Sequence, residues 1–119
     1  VYEGGVTDYA GAGGGIEVQL GVGETGSLPD EGWTWTEASY NDDKDGLTPG
    51  DLANDEYFCV GTAPTETSTY DYAGRVRLDD GPWLYCDWGV DCGGAGSDDG
   101  YSPLTTGQLT VPSSPDDPL

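Results

Sequence analysis

A chain of 119 residues with a formal net charge of -20, three basic side chains and no histidine excludes several functions at the outset. Its field repels nucleic-acid phosphates and anionic lipid headgroups, and without histidine it lacks the usual general base and the commonest transition-metal ligand. The length suits one domain, and no apolar stretch approaches the ~20 residues of a membrane span.

Helical periodicity is absent, and Gly and Pro punctuate the chain throughout, so the expected elements are short strands. Residues 1–6 (VYEGGV) read as a first, Gly-weakened strand. Residues 16–22 (IEVQLGV) alternate, with Ile16, Val18, Leu20 and Val22 on one face. Residues 33–40 (WTWTEASY) place Trp33, Trp35 and Glu37 on one face, and 56–62 (EYFCVGT) follow as a fourth strand. In 69–78 (TYDYAGRVRL), Tyr70, Tyr72, Val76 and Leu78 share a face while Arg75 and Arg77 project from the other, toward acidic neighbours or a partner subunit. Asp79-Asp80-Gly81 is a tight-turn signal leading into 82–88 (PWLYCDW), and 107–111 (GQLTV) close the domain. The predicted fold is all-β, a single antiparallel sandwich of about seven strands with long acidic loops, over 1–111, with 112–119 as a Pro-rich tail.

Aliphatic content is low enough, at this charge, to suggest disorder. Four Trp and eight Tyr supply a core instead, since a buried aromatic removes roughly 150–250 Å² from water. Trp35 and Tyr72 are expected to be buried, with Trp83 and Trp88 partly exposed.

The chain begins at Val1 and contains no Met, which reads as a secreted product whose leader has been removed. Three cysteines are an odd number for such a chain. Cys86 and Cys92 flank a short loop and form the favoured disulfide, which leaves Cys59 as a small buried hydrophobe. The competing bridge is Cys59–Cys86. A zinc site lacks a fourth ligand and any CxxC spacing.

Two long connections carry most of the candidate chemistry. Residues 41–55 (NDDKDGLTPGDLAND) open like an EF-hand calcium loop, but the twelfth position from Asn41 is Leu52, so that template fails. An irregular Ca²⁺ site using Asp43, Asp45, Asp51 and Asp55 remains open, and Asp87, Asp91, Asp98 and Asp99 offer a second. The alternative is that these are solvated acidic loops.

A catalytic role has little to stand on, because a Ser or Cys nucleophile has no ordinary partner base. For glycan binding the candidates are Trp83, Tyr85 and Trp88, which could present a stacking surface.

Several aromatic clusters carry a resemblance. Trp33-Thr34-Trp35, Ala38-x-Tyr40-Asn41, Asp55-Glu56-Tyr57, Tyr70-Asp71-Tyr72-Ala73-x-Arg75 and Trp83-x-Tyr85-Cys86-Asp87 together resemble an immunoglobulin/fibronectin III-like β-sandwich module of secreted bacterial proteins, similar to the accessory modules of starch-degrading enzymes. The resemblance implies that the Tyr70 hydroxyl bonds back to the backbone as a corner tyrosine. The sequence departs from the pattern in the acidic insertion at 42–53 and in Val90-Asp91-Cys92.

These features predict a non-catalytic, secreted structural subunit of an extracellular filament, surface layer or adhesive array, self-associating and stabilised by Ca²⁺ and one disulfide. The alternative is a carbohydrate-binding accessory module of a secreted hydrolase.

Overall fold

The computed structural model describes residues 1–29, 32–43, 52, 54–86, 101–104 and 106–113. The alternating run predicted at 16–22 forms strand β1 (Ile16–Glu24). It pairs along its whole length with the longest strand, β5 (Ser68–Leu78), in an antiparallel register from Ile16 opposite Leu78 to Glu24 opposite Tyr70. Around this pair stand β2 (Thr34–Glu37) on the outer side of β1, and β6 (Leu84–Cys86) and β7 (Gly107–Val111) end to end along the other side of β5. A separate two-stranded sheet holds β3 (Ser39–Asp43) and β4 (Asp55–Phe58). The architecture is all-β and antiparallel, and the described residues include no helix long and apolar enough to cross a membrane.

The β1–β5 register sorts side chains onto two faces, because directly opposed residues point to the same side of a sheet. One face collects the aliphatics: Val18 lies opposite Val76, and Val22 opposite Tyr72. The other opposes Glu17 to Arg77 and Gln19 to Arg75, and receives Trp35 from β2 and Tyr85 from β6. The buried hydrophobic side chains among the described residues, Trp33 and Ala73, belong to this second face. Gly21 and Gly23 make the packing possible: a Cβ at Gly21 would sit 2.6 Å from the Trp35 ring, and one at Gly23 would intrude on the Trp33 indole.

Four expectations need correction. Residues 1–6 are not a strand. The amides of Val6 and Thr7 both donate to the Glu3 carbonyl, at 3.0 and 2.9 Å, with Gly5 at a φ of 79°, so Gly4-Gly5 allows a turn where side-chain pattern alone suggested extension. The run 33–40 is two strands rather than one. Ala38 still donates to Val18 at 2.8 Å, and the chain then leaves the large sheet to build β3 against β4. Tyr72 is 39% exposed because it stands on the open aliphatic face opposite Gly107, and Trp35 is half-buried. Finally, Cys59 is half-buried rather than buried; its thiol is free, and the competing Cys59–Cys86 bridge does not form. The favoured Cys86–Cys92 pairing involves Cys92, which lies outside the described residues.

The turn after β5 is as predicted. Gly81 donates to the Leu78 carbonyl at 2.9 Å, and both central residues are left-handed, Asp79 at φ 49° and Asp80 at φ 59°. This is the hairpin turn whose twist matches the strands, here built from two residues with a Cβ penalty. Asp80→Gly relieves that penalty at the cost of an exposed 3.6 Å contact with Arg77 that is worth little. The left-handed penalty of roughly 1–2 kcal/mol outweighs the extra unfolded-state freedom of glycine, roughly 0.5–1 kcal/mol, so the expected outcome is a gain of up to about 1 kcal/mol in the urea-unfolding free energy.

Candidate functional site

β3 and β4 end and begin on aspartates that oppose one another in register, Asp43 and Asp55. Both are buried, at 8% and 1% exposure. The N-terminal segment covers them. The Gly11 amide donates to both carboxylate oxygens of Asp43 at 3.2 Å, and the Gly13 amide donates to Asp55 Oδ2 at 2.7 Å. Glycine at 13 eases this approach, since a Cβ there would lie 3.0 Å from side-chain atoms of Val6, Thr7 and Ile16, which would have to give way. Val1 and Asp55 exchange backbone hydrogen bonds, each at 2.8 Å, which extends the β4 edge. Beneath them Thr7 is fully buried, and its hydroxyl accepts from the Glu3 amide at 2.9 Å.

The Tyr40 hydroxyl completes this cluster by donating to Asp43 Oδ1 at 3.0 Å. Desolvation, then the hydrogen bond to Asp43 and its charge, push the Tyr40 phenol up to about 12. Tyr57, edge-on to Tyr40 at 6.0 Å, is raised too, by desolvation and then by the charge of Asp55. One oxygen stands apart: Asp55 Oδ1 is buried and has no hydrogen-bond partner.

Of the predicted metal ligands the fold therefore brings together Asp43 and Asp55. Asp45, Asp51, Asp87, Asp91, Asp98 and Asp99 lie outside the described residues. Among the described residues, no three metal-ligating side chains converge. A third buried carboxylate falls outside the sequence-based candidates. Asp71 is 1% exposed; its Oδ2 accepts from the Gly26 amide at 2.7 Å and its Oδ1 is unpartnered. A Tyr-Asp-Tyr run in a strand carries no signal that its Asp turns inward.

The glycan candidates Trp83 and Tyr85 are part of a ladder on the polar face of the large sheet. Trp33 stacks on Trp35 at 5.9 Å and takes the edge of Tyr101 at 5.8 Å. Trp35 meets Tyr85 at 5.9 Å. The Arg75 guanidinium lies 3.9 Å from the Trp35 ring centre and 4.1 Å from that of Trp83, and Arg77 lies 4.4 Å from Trp83. Each such contact is worth about 0.5–2 kcal/mol, depending on desolvation. Arg75 also donates to Gln19 Oε1 at 2.8 Å. Arg77 pairs with Glu17 at 2.8 Å, a hydrogen bond that lowers the Glu17 pKa and raises that of Arg77.

The arginines thus satisfy acidic and aromatic neighbours of their own chain. Two guanidinium groups already lie against the Trp83 ring, so a sugar stacking on a ring face they cover has to displace them. Trp88 lies outside the described residues. The ladder was legible in W-x-W and R-x-R at period two; the pairing of one with the other required the register.

Two outcomes test these clusters. Gly21→Ala should force the Trp35 ring off Arg75, costing about 1–3 kcal/mol of stability and shifting tryptophan emission. The raised Tyr40 pKa stabilises the fold fully below its ordinary value of 10.0, and that contribution is lost as pH rises to about 12. Urea midpoints should therefore fall over that window, and fall less steeply in Tyr40→Phe. No family model, curated protein or solved structure matches the chain.

Proposed function

We propose that this chain is a non-catalytic building block of an extracellular assembly: an immunoglobulin-like β-sandwich module of a filament, surface layer or adhesive array. The observation that carries the reading is the half-open aliphatic face of the large sheet. None of Ile16, Val18, Leu20, Val22 or Val76 is fully buried, and Tyr72 and Leu84 are 39% and 54% exposed. The β3–β4 hairpin stands over one end of this face and leaves a cavity of about 430 Å³ between Val18, Val76 and Tyr57. At the other end a groove of about 700 Å³ runs between Leu20, Val22 and Tyr70 on the sheet and residues 61–66 above it. Phe58 and Val60, on the chain entering that segment, are 49% and 85% exposed.

Apolar surface of this extent beside open strand edges suits another chain's strand. Among the described residues β2 pairs only with β1, and a strand edge without a partner can take an added strand. The bond from the Tyr70 hydroxyl to the Glu66 carbonyl, 2.9 Å, supports the immunoglobulin-like reading, since it is the backbone tie of a corner tyrosine. The net charge of -20 opposes close approach of copies, so assembly on this reading needs screening by salt or bridging cations. An exterior location supplies both.

Sedimentation velocity tests the reading. Native protein in molar salt, with and without Ca²⁺, should form species well above the 12.4 kDa monomer, and Leu84→Glu should reduce them at least tenfold. Monomers at millimolar protein under every one of these conditions reject the assembly role.

A further inference from the structure

We propose that Asp43 and Asp55 form a binding site for one hard divalent cation of the Ca²⁺ class, and that the cation fastens the N-terminal segment to the β3–β4 hairpin. The proposal concerns the single chain and does not depend on assembly.

The unpartnered oxygen is the starting point. Asp55 is 1% exposed, and its Oδ1 has neither solvent nor a hydrogen-bond donor. A buried carboxylate oxygen left this way forfeits its hydration without compensation. Its neighbour makes the deficit larger. Asp43 is the direct cross-strand partner, so the two Cβ atoms are about 4.5–5.5 Å apart on one face, a spacing at which like charges destabilise the pair. Their donors, the Gly11 and Gly13 amides and the Tyr40 hydroxyl, are all neutral. Arg75 and Arg77 are engaged on the other sheet, and the described ion pairs all belong to Arg77.

One cation satisfies each of these requirements. Oxygens bound to Ca²⁺ at about 2.3–2.6 Å can stand up to about 5 Å apart on the ion, which matches two carboxylates across one strand pair. Each carboxylate keeps lone pairs beyond those its amide donors occupy. The ligand set is oxygen only, in a chain with no histidine, which selects a hard ion over zinc or copper. Ca²⁺ tolerates the irregular geometry of a strand pair, whereas Mg²⁺ demands a near-ideal octahedron. With two protein carboxylates and water in the remaining positions, affinity belongs in the roughly 10⁻⁴–10⁻³ M range of extracellular modules.

The mechanical consequence follows from the same atoms. The carboxylates that hold the ion also hold Gly11 and Gly13, and Val1 is tied to the Asp55 backbone. An ion fixing both side chains therefore stabilises the docked form of residues 1–13. Its removal leaves two repelling charges whose separation frees that segment.

Terbium luminescence and hydrogen exchange test the site on dilute monomer. Tb³⁺ should emit when excited through tyrosine, because Tyr40 touches Asp43 and Tyr57 adjoins Tyr40, and Ca²⁺ should displace it. Asp55→Asn should reduce this Ca²⁺-sensitive emission at least tenfold, while Asp71→Asn, at the other unpartnered carboxylate, should leave it unchanged. In the unaltered chain, Ca²⁺ in place of a chelator at matched ionic strength should slow exchange of the Gly11 and Gly13 amides at least tenfold. If Asp55→Asn does not fold, Asp43→Asn gives the same luminescence readout, and the exchange measurement needs no variant. Equal Ca²⁺-sensitive emission from the folded variant and the parent, or equal exchange with and without Ca²⁺, overturns the proposal.

Discussion

The full-length register of β1 against β5 is the constraint from which the other features follow. It sets Arg75 opposite Gln19 and Arg77 opposite Glu17, so the two arginines emerge from the middle of the sheet with acceptors already beside them. The β2 and β6 registers then bring Trp35, in the row of Gly21 and Ala73, and Tyr85, in the adjacent row of Gln19 and Arg75, to the same face, and Trp83 closes over the guanidinium groups from the β6 side. A slip of one residue would move the arginines to the aliphatic face and the valines to the polar one. With so few aliphatic side chains, the chain builds this face from stacked indoles and planar cations, which bury large areas without requiring a volume of Leu and Ile.

Polar groups occupy positions that an ordinary core fills with hydrocarbon. Thr7, Asp55 and Asp71 are the largest fully buried side chains among the described residues. Each anchors glycine-rich backbone: Asp55 holds Gly13, Asp71 holds Gly26, and Thr7 closes the turn that begins at Glu3. Glycine segments lose much entropy on ordering and bring no side chains to pack. Charge-assisted hydrogen bonds from buried carboxylates are a compact means of fixing them. The arrangement leaves carboxylate oxygens short of partners, and that shortage, rather than the acidic composition as such, distinguishes Asp55 from the solvated acids around it.

The two faces of the large sheet have different roles. The ladder face is satisfied within the chain, since its cations are matched to Glu17, Gln19 and the Trp rings. The aliphatic face is only partly covered, by a two-stranded hairpin and by the segment leading into β5. The split at Ala38 produces this asymmetry: it ends β2 after four residues and sends β3 away to pair with β4 in a separate sheet. The same split delivers Asp43 and Asp55 to the far end of the hairpin, where the N-terminal segment meets them.

What the amino-acid order determined by itself was local. Alternation at Ile16–Val22 and Tyr70–Leu78 determined strands and their faces because the side-chain period of a strand is two. Asp79-Asp80-Gly81 determined a tight turn because Asp and Gly tolerate left-handed backbone. The shared face of Trp33 and Trp35, and that of Arg75 and Arg77, were legible for the same reason. What only the tertiary structure decided was non-local. Whether VYEGGV extends or turns, where WTWTEASY changes sheets, whether Tyr72 faces solvent, and which of 23 acidic residues lie opposite one another in the dark of the fold all depend on pairings between residues tens of positions apart. Asp43 and Asp55 bracket a connection whose composition announces acidity along its whole length. Only the β3–β4 register and the covering glycines select those two for burial, because burial depends on what the rest of the chain places on top.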